Sequence, residues 1–444
     1  MSVTDQSMIS ALLKEAYKDV FVRSIYTDTV LFDAIPKYQG NVRGANVHTA
    51  VELTRTSGGG ARTAGEFLPV DSPESFAQTS ISLKRWYYTI SLDGFAIEQF
   101  KTGPGSFADY LSLRMSNAQR DASNQLNRIC HMDGTGVLAV VNGASTGVTV
   151  TLQHVWPNGF AQNPASGVAF GAPGTSSSYS FGATQFLEEG DQIGIATPSY
   201  SGGWSIGAVN TATIETLDWD AQTMTLDKAV TVKDNDVIFF ADSHSHSFNK
   251  EVAGLKHLIT GKNDRTVLGI STANRRWRST EIDKTLAPVP YDWTHITRII
   301  AATKFKGSTQ PGGLVLMMHP AMLEEHQRLV DPDIRYEETS AQFSKKLVVP
   351  SFTVLGQKVP VRTTIHCGYQ EVIGLNTNEM ERMELGAMDW DDRGGQVKPL
   401  QGKDAAYAYL KYYWALGAKA LNHQARFDGI QVDTEFVKVI QETA

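Results

Sequence analysis

The sequence predicts an α+β fold with an inserted all-β module, and three observations predict it. One segment keeps a helical period for about seven turns, two long segments alternate with a period of two, and an acidic run of short strands interrupts the chain between residues 142 and 243. The helical segment lies between Gly103 and Gly136, where Phe107, Leu111, Met115, Ala118, Ala122, Leu126 and Ile129 recur at steps of three and four. Ser106 and Asp109 form a capping-box pair at its start. Asp133-Gly134 ends it, because glycine tolerates the left-handed conformation that terminates a helix. The middle of the apolar stripe holds only alanine, so a strand layer is expected to cross closely there.

The chain of 444 residues is 41% hydrophobic and 20% charged, enough for two or three domains around a sizeable core. Its net charge of −7 is unevenly placed: ten acids stand against two bases between Asn142 and Ser243, a net of −8, and the remainder is nearly neutral. Neither part has the basic surplus of a protein that grips phosphates. The two cysteines, Cys130 and Cys367, have no ligand or disulfide spacing, which fits a reducing compartment. Asp5 and Glu15 interrupt any apolar signal core, and no apolar run reaches the roughly 18 residues that a membrane helix requires. A soluble, non-exported protein without membrane contact is expected.

In chain order, residues 7–26 read as an amphipathic helix with Ile9, Leu12, Leu13, Ala16, Val20 and Phe21 on one face. It hangs on an irregular tether through Pro36 and Gly44 and needs a surface to lie on, one that another copy can supply. Val47 to Leu53 alternates as a strand. Its partner runs from Phe76 to Leu92, with an apolar phase that slips from odd positions (Ile81, Leu83) to even ones (Tyr88, Ile90, Leu92), the sign of a bulge or a change of surroundings. Between them lie about twenty residues rich in Gly, Ser and Pro, a length unusual in compact domains and common in contact elements or disordered segments. A long two-stranded hairpin is marginal alone in water, so this one is expected to rest on a neighbour.

The acidic insertion reads as strands at Val148 to Leu152, Asp191 to Thr197, Thr211 to Trp219, Thr223 to Leu226 and Asp236 to Phe240, a small sandwich or barrel. The Gly/Ser-rich stretch from Pro157 to Ser180 is expected to be a long mobile loop. From Gly254 an α/β region follows: a helix from Tyr291 to Lys306 opened by Asp292, a buried strand from Leu314 to Met318, and a helix opened by Pro320. Strands at Phe352 to Val354, Val359 to Thr363 and Glu371 to Leu375 come next, and Asp404 to Ala420 is aromatic and alternating enough for a long strand, although its many alanines also suit a helix.

No constellation makes a convincing active site. Gly143-Ala-Ser145-Thr-Gly147 matches a nucleophile elbow literally, but the elbow needs a helix after it and a strand follows here. His244 and His246 share one face of a strand without a recognisable third metal ligand. The acidic run from Asp389 through Asp391 and Asp392 to Arg393 and Gly395 reads as a charged turn before it reads as a cation site. Asn274-Arg275-Arg276-Trp277-Arg278 interleaves bases with an aromatic, as nucleic-acid patches do, yet one such cluster in a neutral body is more often an inter-subunit arginine anchor.

Taken together, the segments resemble the major capsid proteins of tailed double-stranded-DNA bacteriophages, whose fold is shared with herpesvirus capsid floors and encapsulins. The residues that carry the resemblance are the arm, the extended hairpin, the helix ending in Asp133-Gly-Thr-Gly136, Gly254-Leu255, Leu314-Val-Leu-Met-Met-His-Pro320, the strand pair around Gly356 and the closing aromatic strand. The resemblance implies an arm at 1–46, an extended loop at 47–85 and a peripheral domain with its spine helix at 86–141. It further implies an inserted β domain at 142–247, an axial domain at 248–385, and peripheral return strands with the C-terminus at 386–444. It also implies a non-enzymatic subunit without cofactor or metal that forms hexamers and pentamers of an icosahedral shell around packaged double-stranded DNA, with no sequence-specific contact to it. Scaffold and portal proteins are the implied partners, with a decoration protein as a further one on the outer surface. The location that the resemblance implies is the virion, after assembly in the bacterial cytoplasm. An encapsulin-like nanocompartment is the alternative with the same fold. Residues 55–75 contain no lysine, so the lysine–asparagine crosslink of some family members is not expected; a guanidinium is a poor nucleophile. Non-covalent contacts are then expected at Arg55, Arg62 and Glu66 of the loop, at Asp389, Asp391, Asp392 and Arg393 of the turn, and at Arg275 and Arg276.

Overall fold

The computed structural model describes residues 28–95, 107–153, 183–199, 205–306, 313–330 and 351–432, apart from gaps at 41, 43, 45, 56–58, 68–69, 71–72, 263, 285–287, 355–356, 394, 396 and 401. The expected N-terminal helix at 7–26, the Ser106 cap and the loop at 157–180 lie outside the described residues.

The long helix spans Phe107–His131. Its alanines do what their size permits: Ala118 and Ala122 are buried against Ile90, Trp390, Ala408 and Leu410 of a five-stranded sheet. The C-terminal half of the helix packs Leu126, Ile129 and Cys130 into a second cluster with Val252, Leu255, Trp277 and Trp414. Each large apolar side chain removed from water there contributes about 1.5–3 kcal/mol. Gly134 ends the helix at φ +89°, and Asp133 Oδ1 accepts from the amide and hydroxyl of Thr135 at 2.9 and 2.6 Å. The returning chain crosses this end so closely that a Cβ on Gly254 would lie 2.4 Å from the carbonyl oxygens of Ile129, Cys130 and Met132. Only glycine fits.

The sheet under the helix is organised by Ala405–Ala418, which pairs antiparallel with Lys84–Asp93 over ten residues and with Met380–Glu384 on its other side. Inward Trp86, Tyr88 and Ile90 face the helix. Ile81 instead packs with Val42, Met383 and Ala415, which is the change of surroundings behind the phase slip. The extended hairpin is broken into shorter pieces than its alternation suggests. Ala50–Thr54 pairs with Ser75–Gln78 and Asn46–Val47 with Ile81–Ser82. The ladder is interrupted between them, where the Thr79 hydroxyl takes the Thr49 amide at 2.9 Å.

The insertion is a closed six-stranded antiparallel barrel in the order Asn210–Asp218, Thr223–Val232, Ser145–Gln153, Val137–Val141, Val237–Phe240, Gln192–Ala196. It begins at Val137, before the boundary expected at residue 142. Val137–Val141 is buried at every position, and a run without alternation carries no sign of which unit it joins.

A six-stranded mixed sheet forms the remaining unit, in the order Thr280–Asp283, Ala425–Asp428, Glu371–Asn376, Leu314–Met318, Gln357–Thr363, Ser351–Val354. The helix Trp293–Phe305 covers it, capped by Asp292, whose side chain accepts from the Thr294 amide at 3.1 Å while His295 Nδ1 takes the Asp292 amide at 3.2 Å. Two further segments depart from the boundaries expected at 385 and 386. Met380–Glu384 belongs to the sheet under the long helix, and Ala425–Asp428 returns to the six-stranded sheet. Both cysteines are buried free thiols, and no helix among the described residues is long and apolar enough to cross a membrane.

Candidate inter-subunit interface

The residues singled out from sequence fall on three exposed features, and the structure separates those that face outward from those consumed within the chain. On the hairpin, Arg55, Arg62 and Glu66 are exposed. Arg62 donates to the carbonyl of Ala61 at 3.2 Å, and Glu66 accepts from the Thr63 amide at 3.0 Å, closing a local turn. The apolar residues beside them, overlooked in the sequence, are more telling: Phe67 is 95% and Val70 89% exposed. Their signal was legible as Phe67-Leu-Pro-Val70, an apolar cluster in an otherwise small and polar loop. Exposure of that degree costs solvation that an intermolecular contact recovers.

On the acidic turn the reading changes. Asp391 turns inward: it is 1% exposed and is the hub of a cluster within its own chain. Its oxygens take Lys398, Lys411 at 2.6 Å, Tyr409 at 2.5 Å and Arg393 at 3.1 Å. Those donors, Lys398 first, hold its carboxyl well below the usual range, and the carboxylate in turn raises the Lys398 ammonium. A run of alternating charges does not reveal which carboxylate turns inward. The outward groups of the turn are Asp389, Asp392 and Arg393, the last 73% exposed at its side chain.

At the third feature Trp277 is fully buried and donates Nε1 to the carbonyl of Val267 at 3.1 Å, so it is core and no stacking platform. Arg276 is exposed but sends Nη1 to the carbonyl of Leu53 at 3.1 Å, tying the base of the hairpin to this unit. Arg275 is exposed.

The start of the described chain is pinned to the long helix. Asn127 Oδ1 accepts from the amides of Leu31 and Phe32, each at 3.0 Å, and its Nδ2 reaches His366 Nδ1 at 2.8 Å. Arg382 covers the Phe32 ring at 3.9 Å and donates to the Phe32 carbonyl at 2.7 Å. Between the barrel, the long helix and Lys84–Asp93 lies a cleft of about 870 Å³ lined in part by Tyr88, Arg128, Asp191, Phe240 and Glu251. Burial there raises the Asp191 carboxyl to about 7, against the lowering effect of the Glu188 amide and Arg128.

The features weighed for catalysis and metal binding have ordinary roles. Ser145 opens a strand and donates to the carbonyl of Thr149 at 3.2 Å. His244 meets the Ser243 hydroxyl at 2.7 Å, and His246 lies edge-on to Phe239. Among the described residues no group of three His, Cys, Asp or Glu is placed to hold a metal ion.

A long helix laid across a sheet of long strands, an extended hairpin, and a second mixed sheet fed by segments exchanged with the first make up a fold, here carrying a β-barrel insertion, that is shared with a tailed-phage capsid chain. The capsid chain of cyanophage A-1(L) superposes with a TM-score of 0.54 over 95% of this chain and 98% of its own, at 12% identity. The capsid of the native GTA particle (TM-score 0.47, 9% identity, 95% and 96% coverage) and a chain of Mycobacterium phage Bobi (0.44, 10%, 97% and 99%) overlay too loosely to bear on the assignment. No protein-family model matches the sequence, and no curated protein matches it.

Proposed function

We propose that this chain is a major capsid protein, a structural subunit that assembles as hexamers and pentamers into an icosahedral shell around packaged double-stranded DNA. The observation that carries the reading is the end-to-end correspondence with the cyanophage A-1(L) capsid chain, which spans nearly all of both chains. The exposed Phe67 and Val70 support it, since a monomer gains nothing by presenting them to water. Many moderate contacts per subunit hold such a lattice without a covalent link. Arg55, Arg62, Glu66, Asp389, Asp392, Arg393 and Arg275 are the proposed inter-subunit contacts, with Asp391 and Arg276 acting one step back by holding the turn and the hairpin in place. Scaffold and portal proteins are the proposed assembly partners, a decoration protein is proposed on the outer surface, and the virion, assembled in the host cytoplasm, is the proposed location. The nearly neutral body suits a lumen in which DNA must slide. Electron microscopy of the purified full-length chain, expressed with and without its scaffold, tests the reading: closed uniform shells are expected, and a monodisperse monomer at high concentration under both conditions overturns it. A bound cargo enzyme in place of DNA would favour the encapsulin-like alternative.

A further inference from the structure

Several charged side chains of the described residues find opposite charge within the chain. Lys37 pairs with Glu384 at 2.6 Å, Arg128 with Glu251 at 2.6 Å, Lys256 with Glu371 at 3.0 Å and Lys419 with Glu381 at 2.6 Å. Two regions group like charges that form no ion pair among the described residues, and they have opposite sign. On the barrel, Glu189, Glu215, Asp218, Asp227 and Asp234 are all exposed, and among the described residues none of them takes part in an ion pair. Glu189 and Asp227 reach only backbone amides, of Leu217 at 3.2 Å and Thr213 at 2.9 Å, which draws both toward the strand Asn210–Asp218 that carries Glu215 and Asp218.

The second region is the corner where Arg275–Arg278 meets the end of the helix Trp293–Phe305. Arg275 and Arg276 are exposed, Arg278 and Lys306 half-buried, and no carboxylate pairs with any of the four among the described residues. Lys306 instead donates to the carbonyl of Arg278 at 2.8 Å. Burial first, and then the charges of Arg278 and Arg275 beside it, pull its ammonium down to about 8. Phe305, 90% exposed, stands next to it. One chain thus carries a surplus of carboxylates at one place and of cations at another, each without a partner of its own. Identical copies in a lattice meet by different faces, and such head-to-tail contacts close into rings.

We propose that the acidic face of the barrel, centred on Glu189, Glu215, Asp218 and Asp227, docks on the basic corner of Arg275, Arg278 and Lys306 of a second copy. This rests on the shell reading above and assigns the barrel a role in it: the insertion sets the register between neighbours. Exposed charges act mainly through encounter and register, and salt screens them within a Debye length of about 10 Å at 0.1 M.

A charge swap in the full-length chain tests the pairing. Arg275→Glu with Arg278→Glu, and separately Glu189→Lys with Glu215→Lys, are each expected to lower shell yield at least 10-fold, while the four changes together restore it. Thermal unfolding of the unassembled variants separates loss of contact from loss of fold, and the single Arg275→Glu variant serves where the half-buried Arg278 does not tolerate reversal. Failure of the combined variant to recover while it is folded overturns the pairing. Unchanged shells that retain less DNA in the arginine variants also overturn it, in favour of a nucleic-acid contact. If the wild-type chain forms no shell at all, the shell reading falls. The pairing is then decided by sedimentation at low salt, where association lowered by each reversal and restored by the swap keeps it, and unchanged association overturns it.

Discussion

Replacing Asn127 by alanine should release the start of the described chain from the long helix. The side-chain oxygen of Asn127 is the acceptor for two amides, Leu31 and Phe32, at 3.0 Å each, in a place where Leu31 and Asn127 are both fully buried. Those two donors fix which way the amide group faces, and its nitrogen then meets His366, an imidazole whose pKa burial keeps well below the ordinary value and which accepts as a neutral ring. Alanine leaves both amides without a partner. An orphaned buried donor costs about 1–3 kcal/mol, which applies to the Leu31 amide, and the half-buried Phe32 amide adds a smaller share. The apolar anchors Leu31 and Ile35 remain, so the loss is expected as local opening rather than global unfolding. Even about 2 kcal/mol multiplies an opening equilibrium by roughly 30. Hydrogen exchange of the peptide covering residues 28–38, followed by mass spectrometry on the unassembled chain, should show that acceleration while the barrel strands keep their protection. Unchanged exchange in this peptide would refute the reasoning, because it would mean that the buried amides have another acceptor.

Three further outcomes follow from the same geometry. Asp391→Asn should loosen the turn at 389–395: a carboxyl held below its ordinary pKa contributes stability that is complete above about pH 3.9 and is lost as pH falls through the folded value, so the melting-temperature deficit of the variant at pH 6 should narrow below about pH 4. Asp191 has the opposite sign: with its carboxyl raised to about 7, the folded chain binds the proton more tightly than the unfolded chain. Asp191→Asn should therefore raise the melting temperature relative to wild type at pH 8, with the gap closing by pH 4. Trp277→Ala empties a fully buried site and strips the Val267 carbonyl of its donor, and a loss of about 3–5 kcal/mol is expected in denaturant unfolding; a loss below about 1 kcal/mol would contradict its burial.

The elements legible in the sequence were those whose period is long compared with their ends. The stripe from Phe107 to Ile129 repeats often enough to name the element, and the alanines at 118 and 122 even announced the closeness of the sheet; the alternation from Ala405 to Ala418 pointed to the strand found there, while its alanines left a helix open. The hairpin was legible in outline, but its break at Thr49 and Thr79 was not, since a side-chain hydroxyl that replaces a ladder bond leaves no periodic trace. At the candidate interface, residue type located the charged turn and the arginine cluster. It did not show that Asp391 and Trp277 point inward while Phe67 and Val70 point out.

By itself the sequence determined local conformation and charge, because both are written in residues a few positions apart: the long helix, the Asp292 cap, the acidic insertion and the lysine-free hairpin tip. Tertiary structure alone decided membership. It put Val137–Val141 into the barrel, sent Met380–Glu384 to one sheet and Ala425–Asp428 to the other, and gathered Lys398, Lys411 and Tyr409 around one carboxylate. The physical reason is that a buried strand or a buried charge is satisfied by whichever distant segment completes its hydrogen bonds, and that choice is made by the packing of the whole chain rather than by any neighbour in sequence.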